Sequence, residues 1–144
     1  MVRGATSSEC GYSLFLLDTN TLSYFLRGNG GVAERLLEVE PSQVALPAPV
    51  VYEIEYGVRH ARLGAARRRR IGEALTAFTV CPIDAAAARA AAELRVRAET
   101  RGTPLGPIDT LIAGIALAGG HTLVTHNLRE FAQVDGLKFV DWHD

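Results

Sequence analysis

Three acidic residues, Asp18, Glu53 and Asp109, have residue types and positions that could do chemistry. Asp18 follows the apolar run at residues 14–17, which has the length of a strand buried on both faces of a parallel sheet. Asp109 lies in the first turn of a helix that begins at Pro107, and Glu53 lies on a helix that follows a short strand. Open α/β sheets bind ligands at the carboxyl ends of their strands, so all three acids are candidates for one shared site.

Two of these three acids also have a structural explanation that needs no chemistry. Asp18, Thr19 and Asn20 are all good N-caps for the helix that follows them. Asp109 is well placed to interact with the dipole of its own helix. A catalytic or metal-binding role is favoured over a structural one only if the fold brings several of these carboxylates to the same edge of the sheet.

A later segment supplies the reason to expect convergence. The predicted strand that begins at His121 ends in the polar residues Thr125, His126 and Asn127. If this strand lies beside the strand before Asp18, Asp18 and Asn127 become neighbours, and the helix start that carries Asp109 overhangs them. His126 is disfavoured as a general base, because it precedes Asn127 where the chain diverges from the strand.

Crowded carboxylates without a cation are costly, and this suggests a metal. No lysine or arginine is adjacent in sequence to the three acids, and an unpaired buried charge is unfavourable. A ligand set made only of oxygen favours Mg²⁺, with Mn²⁺ as a possible substitute. The sequence contains no Cys/His pair at ligand spacing, so no zinc site is expected.

Length and composition are those of one globular domain. The chain has 144 residues, of which 48% are hydrophobic and 22% charged. Residues 1–12 are predicted to be a flexible N-terminal tail and residues 13–144 the folded domain, without an apolar segment long enough for an export signal or a membrane span. Cys10 and Cys81 are too few for a disulfide framework or a cysteine metal cluster, so a reducing cytoplasm is the expected compartment.

Short apolar runs alternate with helical segments along the remaining chain, which predicts an α/β fold with a parallel sheet. Residues 59–70 form a basic region with four consecutive arginines from Arg67 to Arg70. Successive helical side chains point in different directions, so these four cannot all contact one ligand. A solvated helix face and a contact with an RNA backbone are both open interpretations of this region.

Five segments in order resemble the PIN-domain ribonucleases, and more closely the VapC-type toxins of bacterial toxin–antitoxin modules. They are LLDTN at 16–20, YEIEYG at 52–57, GPIDTLIA at 106–113, VTHNLREF at 124–131, and GL at 136–137 followed by DW at 141–142. The resemblance implies a three-layer PIN-like fold with a central parallel sheet of four to five strands flanked by helices.

The resemblance also implies roles for the site residues. Asp18, Asp109 and Glu53 become the metal-binding set, with Glu53 rather than Glu55 matching the family pattern. Asn127 occupies the position where many PIN domains have a fourth acid. Thr19, Asn20 and Thr125 are expected to surround the metal ligands and to hydrogen-bond to the carboxylates or to a water molecule.

The implied activity is that of a Mg²⁺-dependent endoribonuclease that hydrolyses phosphodiester bonds in structured RNA, either tRNA or rRNA. The implied partners are a VapB-type antitoxin and a second copy of the chain, as a homodimer or within a toxin–antitoxin hetero-oligomer. Such an antitoxin lies across the first helices and sends a basic side chain towards the acidic pocket. The side chains that could form its apolar groove are Leu22, Phe25, Leu36 and Leu37, and all four could equally belong to the core.

Two other functions compete with this one. A catalytically silent PIN-like domain that binds RNA or protein stays open, because Asn127 carries no charge. A phospho-receiver domain also gathers acids at the carboxyl edge of a parallel sheet. It needs paired acids early in the chain and a lysine near a late strand end, whereas the only lysine, Lys138, lies inside the final predicted strand.

Overall fold

A parallel five-stranded sheet forms the centre of the computed structural model, which describes Cys10 and residues 13–144. The flexible tail predicted for residues 1–12 lies outside the described residues, apart from Cys10. The strand order is β3-β2-β1-β4-β5, and every neighbouring pair is parallel. The strands are β1 (Phe15–Leu17), β2 (Val44–Pro47), β3 (Thr79–Cys81), β4 (Thr122–Val124) and β5 (Lys138–Val140).

Within the described residues, seven α-helices flank the sheet, because parallel strands need crossover connections. They are α1 (Thr19–Arg27), α2 (Val32–Leu37), α3 (Ala48–His60), α4 (Ala65–Thr76), α5 (Ala85–Arg101), α6 (Pro107–Gly119) and α7 (Leu128–Phe131). Asp84 caps α5 by accepting a hydrogen bond from the backbone N–H of Ala87, and Gly120 ends α6 in the left-handed conformation. Both signals are present in the sequence.

The central position of β1 decides where the polar ends of the strands meet. Leu16 pairs with Ala45 of β2 on one side and with Leu123 of β4 on the other, and all three side chains are fully buried. The backbone N–H of Asp18 continues this pairing by donating to the carbonyl of Val124. The prediction that β1 and β4 are neighbours is therefore confirmed, and so is the expected α/β class with a parallel sheet.

The structure decides between core and surface for two of the predicted groove residues. Leu22 is fully buried, so it belongs to the core and cannot contact a partner, whereas Leu37 is 88% exposed. One other detail differs from the sequence analysis. Cys10 and Cys81 are joined as a disulfide, although two cysteines gave no reason to expect a bridge. The count of cysteines carries no information about the distance between them in space.

Among the described residues, no helix has the length and apolarity that a membrane crossing requires.

The tightest helix packing lies between α5 and α6. A Cβ atom on Gly114 of α6 would lie 2.7 Å from the carbonyl oxygen of Ala87 and 2.7 Å from the Cβ of Ala91. Both neighbours belong to α5, and one of them is backbone that cannot rotate away. Close approach of the two helices therefore depends on the missing side chain at residue 114.

We expect Gly114→Ala to lower the free energy of unfolding by about 1–3 kcal/mol, because overpacking outweighs the better helix propensity of alanine. The matched control is Gly72→Ala in α4, where a Cβ atom would meet nothing within 4 Å. That variant should be unchanged or up to about 1 kcal/mol more stable. Urea denaturation of both variants measures the difference, and equal effects of the two substitutions would contradict this packing argument.

Candidate active site

Asp18 lies at the carboxyl end of β1 and caps α1. Its Oδ1 accepts a hydrogen bond of 2.8 Å from the backbone N–H of Thr21, and its carboxylate is also hydrogen-bonded by the hydroxyl of Thr125. The residue is only 4% exposed. Burial raises the pKa of Asp18 and the negative charge of Glu53 adds to the rise, while the hydrogen bonds oppose it. The side chain is thus both a cap and a buried acid.

Glu53 reaches the same edge of the sheet from α3. It is half-buried, and its Oε1 accepts a hydrogen bond from the hydroxyl of Thr19 in the first turn of α1. Thr19 directly follows Asp18 in the chain, so this hydrogen bond holds Glu53 close to Asp18. The structure therefore brings these two acids together although 34 residues separate the hydrogen-bonded pair.

Asp109 completes the cluster from the first turn of α6. Its pKa is raised to about 6, first by burial and then by the negative charges of Asp18, Glu130 and Glu53. Glu130 is an acid that the sequence analysis did not assign to the site. The available signal was its place in the first turn of α7, three residues after Asn127.

No cation neutralises this cluster within the part of the chain that the structure describes. The ion pairs found there involve other acids, at Glu55, Glu99, Asp135, Asp141 and Asp144. Burial raises the pKa values of Asp18 and Asp109, and the neighbouring negative charges add to the rise. Carboxylate oxygens that repel one another at a partly buried edge fit the requirements of a hard divalent cation.

The remaining predicted site residues differ in whether the structure connects them to the acid cluster. Thr125 is fully buried and accepts a 2.9 Å hydrogen bond from the backbone N–H of Asn127 through its hydroxyl oxygen. Asn127 is half-buried, and its side chain does not cap α7. Asn20 is exposed and makes no side-chain hydrogen bond with the described residues, so the structure does not connect it to the acids. Their roles stay predictions.

A groove between α1, α3 and α4 opens beside the acids, and its lining includes Thr19 and Glu53. The apolar part of the lining includes Phe25, Leu26, Ile54, Val58 and Ile71. The charged part consists of Arg27, Arg67 and Arg70 together with Glu53. Within the described residues, Arg67 to Arg70 have no ion-pair partner, so α4 presents uncompensated positive charge next to an acidic site.

Comparison with known proteins gives one family over most of the chain. The profile of the PIN domain matches residues 15–137. The tRNA(fMet)-specific endonuclease VapC of Salmonella typhimurium is 30% identical over 129 residues, which cover 89% of this chain and 97% of that relative. Ribonuclease VapC2 of Rickettsia felis is 28% identical over 131 residues, covering 90% of this chain and 98% of that relative.

Solved structures agree with the sequence relatives. VapBC2 from Rickettsia felis, bound to a DNA fragment from its promoter, gives a TM-score of 0.81 at 27% identity and covers 90% of this chain and 98% of that chain. DNA-bound VapBC from Salmonella typhimurium gives a TM-score of 0.79 at 30% identity, with coverage of 90% and 98%. From the profile match and the nearly full-length relatives, the chain belongs to the PIN domain family and, within it, to the VapC nucleases.

Proposed function

We propose that this chain is the toxin of a VapBC-type toxin–antitoxin pair and hydrolyses phosphodiester bonds in structured RNA, either tRNA or rRNA. The observation that carries the proposal is the cluster of Asp18, Glu53 and Asp109, whose charges are not neutralised by any cation among the described residues. The relatives from Salmonella typhimurium and Shigella flexneri are named tRNA(fMet)-specific endonucleases, which supports tRNA as the first substrate to test.

Membership of the PIN nucleases implies dependence on a divalent cation, and we infer that the cation is Mg²⁺. Oxygen donors from carboxylates suit Mg²⁺ or Mn²⁺. Asp18, Asp109 and Glu53 are the residues that would hold it. The cation supplies Lewis-acid stabilisation of charge on the phosphate and acidifies water for attack on phosphorus.

The protein groups around the acids have separate tasks in this proposal. Thr19 fixes the carboxylate of Glu53, and Thr125 fixes the carboxylate of Asp18 through a hydrogen bond from its hydroxyl. Asn127 offers an amide oxygen that can orient water without adding charge. A site with an amide at this position is less negative than one with four acids, so we infer that it holds one cation firmly.

The groove beside the acids supports both an RNA substrate and an antitoxin. Arg67 and Arg70 stand three residues apart on α4, line the groove together with Glu53, and are free to contact phosphates. Of the four side chains predicted to contact an antitoxin, only Phe25 lines this groove, next to other apolar side chains that suit an amphipathic segment. The VapBC complexes among the similar structures support a VapB-type partner. We infer in addition that the chain assembles as a homodimer or within a toxin–antitoxin hetero-oligomer. We assign the activity to the cytoplasm, where structured RNA is available.

The alternative function is a catalytically silent PIN-like domain that binds RNA or protein. The neutral side chain of Asn127 is the observation that favours it. The two functions are separated by incubating the purified chain, freed of any partner, with total RNA in Mg²⁺ and in EDTA, and sequencing the new ends. Cleavage that requires Mg²⁺ supports the nuclease, and binding without cleavage supports the silent domain.

We expect Asp18→Asn and Asp109→Asn each to reduce Mg²⁺-dependent RNA cleavage by at least about 100-fold, which corresponds to losing several kcal/mol of charge stabilisation. Both variants should stay folded and be unchanged or slightly more stable, because repulsion is relieved. The matched control is Asp84→Asn, which alters an N-cap with the same geometry away from the cluster. Loss of activity in the control, or full activity in Asp18→Asn or Asp109→Asn, would contradict the assignment.

In EDTA, the raised pKa of Asp109 predicts that wild type gains stability as the pH falls. The folded protein takes up this proton at about pH 6, whereas the unfolded chain does so near 3.8. Between these values the folded state holds more protons, so the free energy of unfolding rises as the pH decreases. The Tm of Asp109→Asn should exceed that of wild type at pH 7.5, and the gap should narrow as the pH falls below about 6 and close only near pH 3.8. A difference in Tm between the two proteins that does not change with pH would contradict the raised pKa of Asp109.

We expect Arg67→Ser and Arg70→Ser to weaken binding of tRNA to cleavage-deficient Asp109→Asn protein. Each lost phosphate contact should lower the slope of log affinity against log salt concentration by about one. Arg69→Ser is the matched control, because Arg69 lies on the same helix but does not line the groove. Equal effects of the three substitutions would show that only the net charge of α4 matters.

A further inference from the structure

Two imidazoles and a carboxylate meet beside Asn127 without sharing a residue with the acid cluster. They belong to His126, in the loop after β4, and to His143 and Asp144, in the segment after β5. One possible ligand atom from each of the three lies within 4.8 Å of the others. Their spacing in the sequence gave no indication of this group, because 17 residues separate the two histidines and the fold brings them together.

Asp141 prepares His126 for a ligand. Its Oδ2 lies 2.8 Å from Nδ1 of His126, so Nδ1–H donates to the carboxylate and Nε2 is the ring nitrogen that a metal can bind in place of a proton. Histidines that bind metals usually have this arrangement, in which a carboxylate fixes the ring and its tautomer from the far side. The other oxygen of Asp141 accepts a 2.8 Å hydrogen bond from the backbone N–H of His143. One carboxylate therefore orients both histidines.

His143 is held by contacts that a freely mobile surface histidine lacks. Its carbonyl oxygen accepts a 2.7 Å hydrogen bond from the backbone N–H of Gly31, and a Cβ atom on Gly30 would lie 2.7 Å from its ring. The ring of Tyr24 packs edge-on at 4.5 Å, and the ring of His126 stacks at 4.3 Å. Four separate segments of the chain thus fix the relative positions of the two imidazoles.

The donor set determines the class of ligand. Two imidazole nitrogens and one carboxylate oxygen suit borderline transition-metal ions such as Zn²⁺, Co²⁺ and Ni²⁺, whereas Mg²⁺ prefers oxygen alone. Ligand atoms about 2.0–2.2 Å from tetrahedral zinc are about 3.4 Å apart. The side chain of Asp144 is 84% exposed, so it can move to bring its carboxylate oxygen from the present spacing to the one that a tetrahedral ion requires.

We propose that His126, His143 and Asp144 form a transition-metal site that is separate from the Mg²⁺ site of the acid cluster. Three protein ligands leave a coordination position open to water or to a further ligand. Metal bound there joins the loop after β4 to the segment after β5. Binding should therefore raise the thermal stability of the whole domain, independently of RNA cleavage.

The test is calorimetric titration of the untagged protein with Zn²⁺ in excess Mg²⁺ and without reductant, so that Cys10 and Cys81 stay paired. Wild type should bind one Zn²⁺ and increase in Tm. His126→Gln and His143→Gln should each weaken binding at least about tenfold, and Asp141→Asn about 10–100-fold, because it removes the group that orients His126 without removing a ligand. Titration with Co²⁺ should give the visible absorption of a nitrogen-coordinated ion only when both histidines are present.

The matched control is His60→Gln. His60 also stacks on an aromatic ring, that of Tyr56 at 5.4 Å, but lies outside the cluster. This variant should bind Zn²⁺ as wild type does. The proposal is overturned if wild type binds no Zn²⁺ under these conditions, or if His126→Gln and His143→Gln bind it as tightly as wild type. It is also overturned if Asp109→Asn abolishes Zn²⁺ binding, because the acid cluster would then account for it.

Discussion

Mutual repulsion among carboxylates at one edge of the sheet is the constraint on which the site depends. Burial is the main cause of the raised pKa values of Asp18 and Asp109. The charge of Glu53 adds to the rise at both groups, and the charges of Asp18 and Glu130 add to it at Asp109. A protein that needed only stability would place a guanidinium among them or bury apolar side chains instead. Among the described residues the acids have no such guanidinium and are not replaced by apolar side chains. The repulsion between the carboxylates therefore destabilises the metal-free protein. A bound cation converts the same repulsion into affinity.

The fold tolerates this cost because backbone dipoles and hydroxyl groups compensate part of it. Asp18 caps α1 and Asp109 lies in the first turn of α6, where unpaired N–H groups favour negative charge. Hydroxyls of Thr19 and Thr125 hydrogen-bond to Glu53 and Asp18. Capping and metal binding are therefore not exclusive interpretations of these acids. The same geometry that starts a helix also holds a carboxylate rigidly at the edge of the sheet.

The parallel arrangement also explains how one small domain brings distant functional groups together. β1 is central, so the segments that leave β1 and β4 run side by side, and α3 approaches the same edge after β2. α4 then carries Arg67 and Arg70 into the lining of a groove that Glu53 also lines. Positive and negative regions are adjacent without being paired. That separation suits a polyanionic substrate that must be attracted by arginines and cut at a cation.

Sequence alone determined the features that depend on local chemistry. The buried strand before Asp18, the cap at Asp84, the helix start at Pro107 and the Gly120 stop all follow from neighbouring residue types, and the PIN resemblance arose from ordered short motifs. Contacts between distant segments were decided only by the tertiary structure. It paired Cys10 with Cys81, buried Leu22, added Glu130 to the charges around Asp109, and placed His126 against His143. Periodicity and capping report on a residue's immediate neighbours, whereas burial, pairing and electrostatic coupling depend on how the whole sheet stacks with its helices.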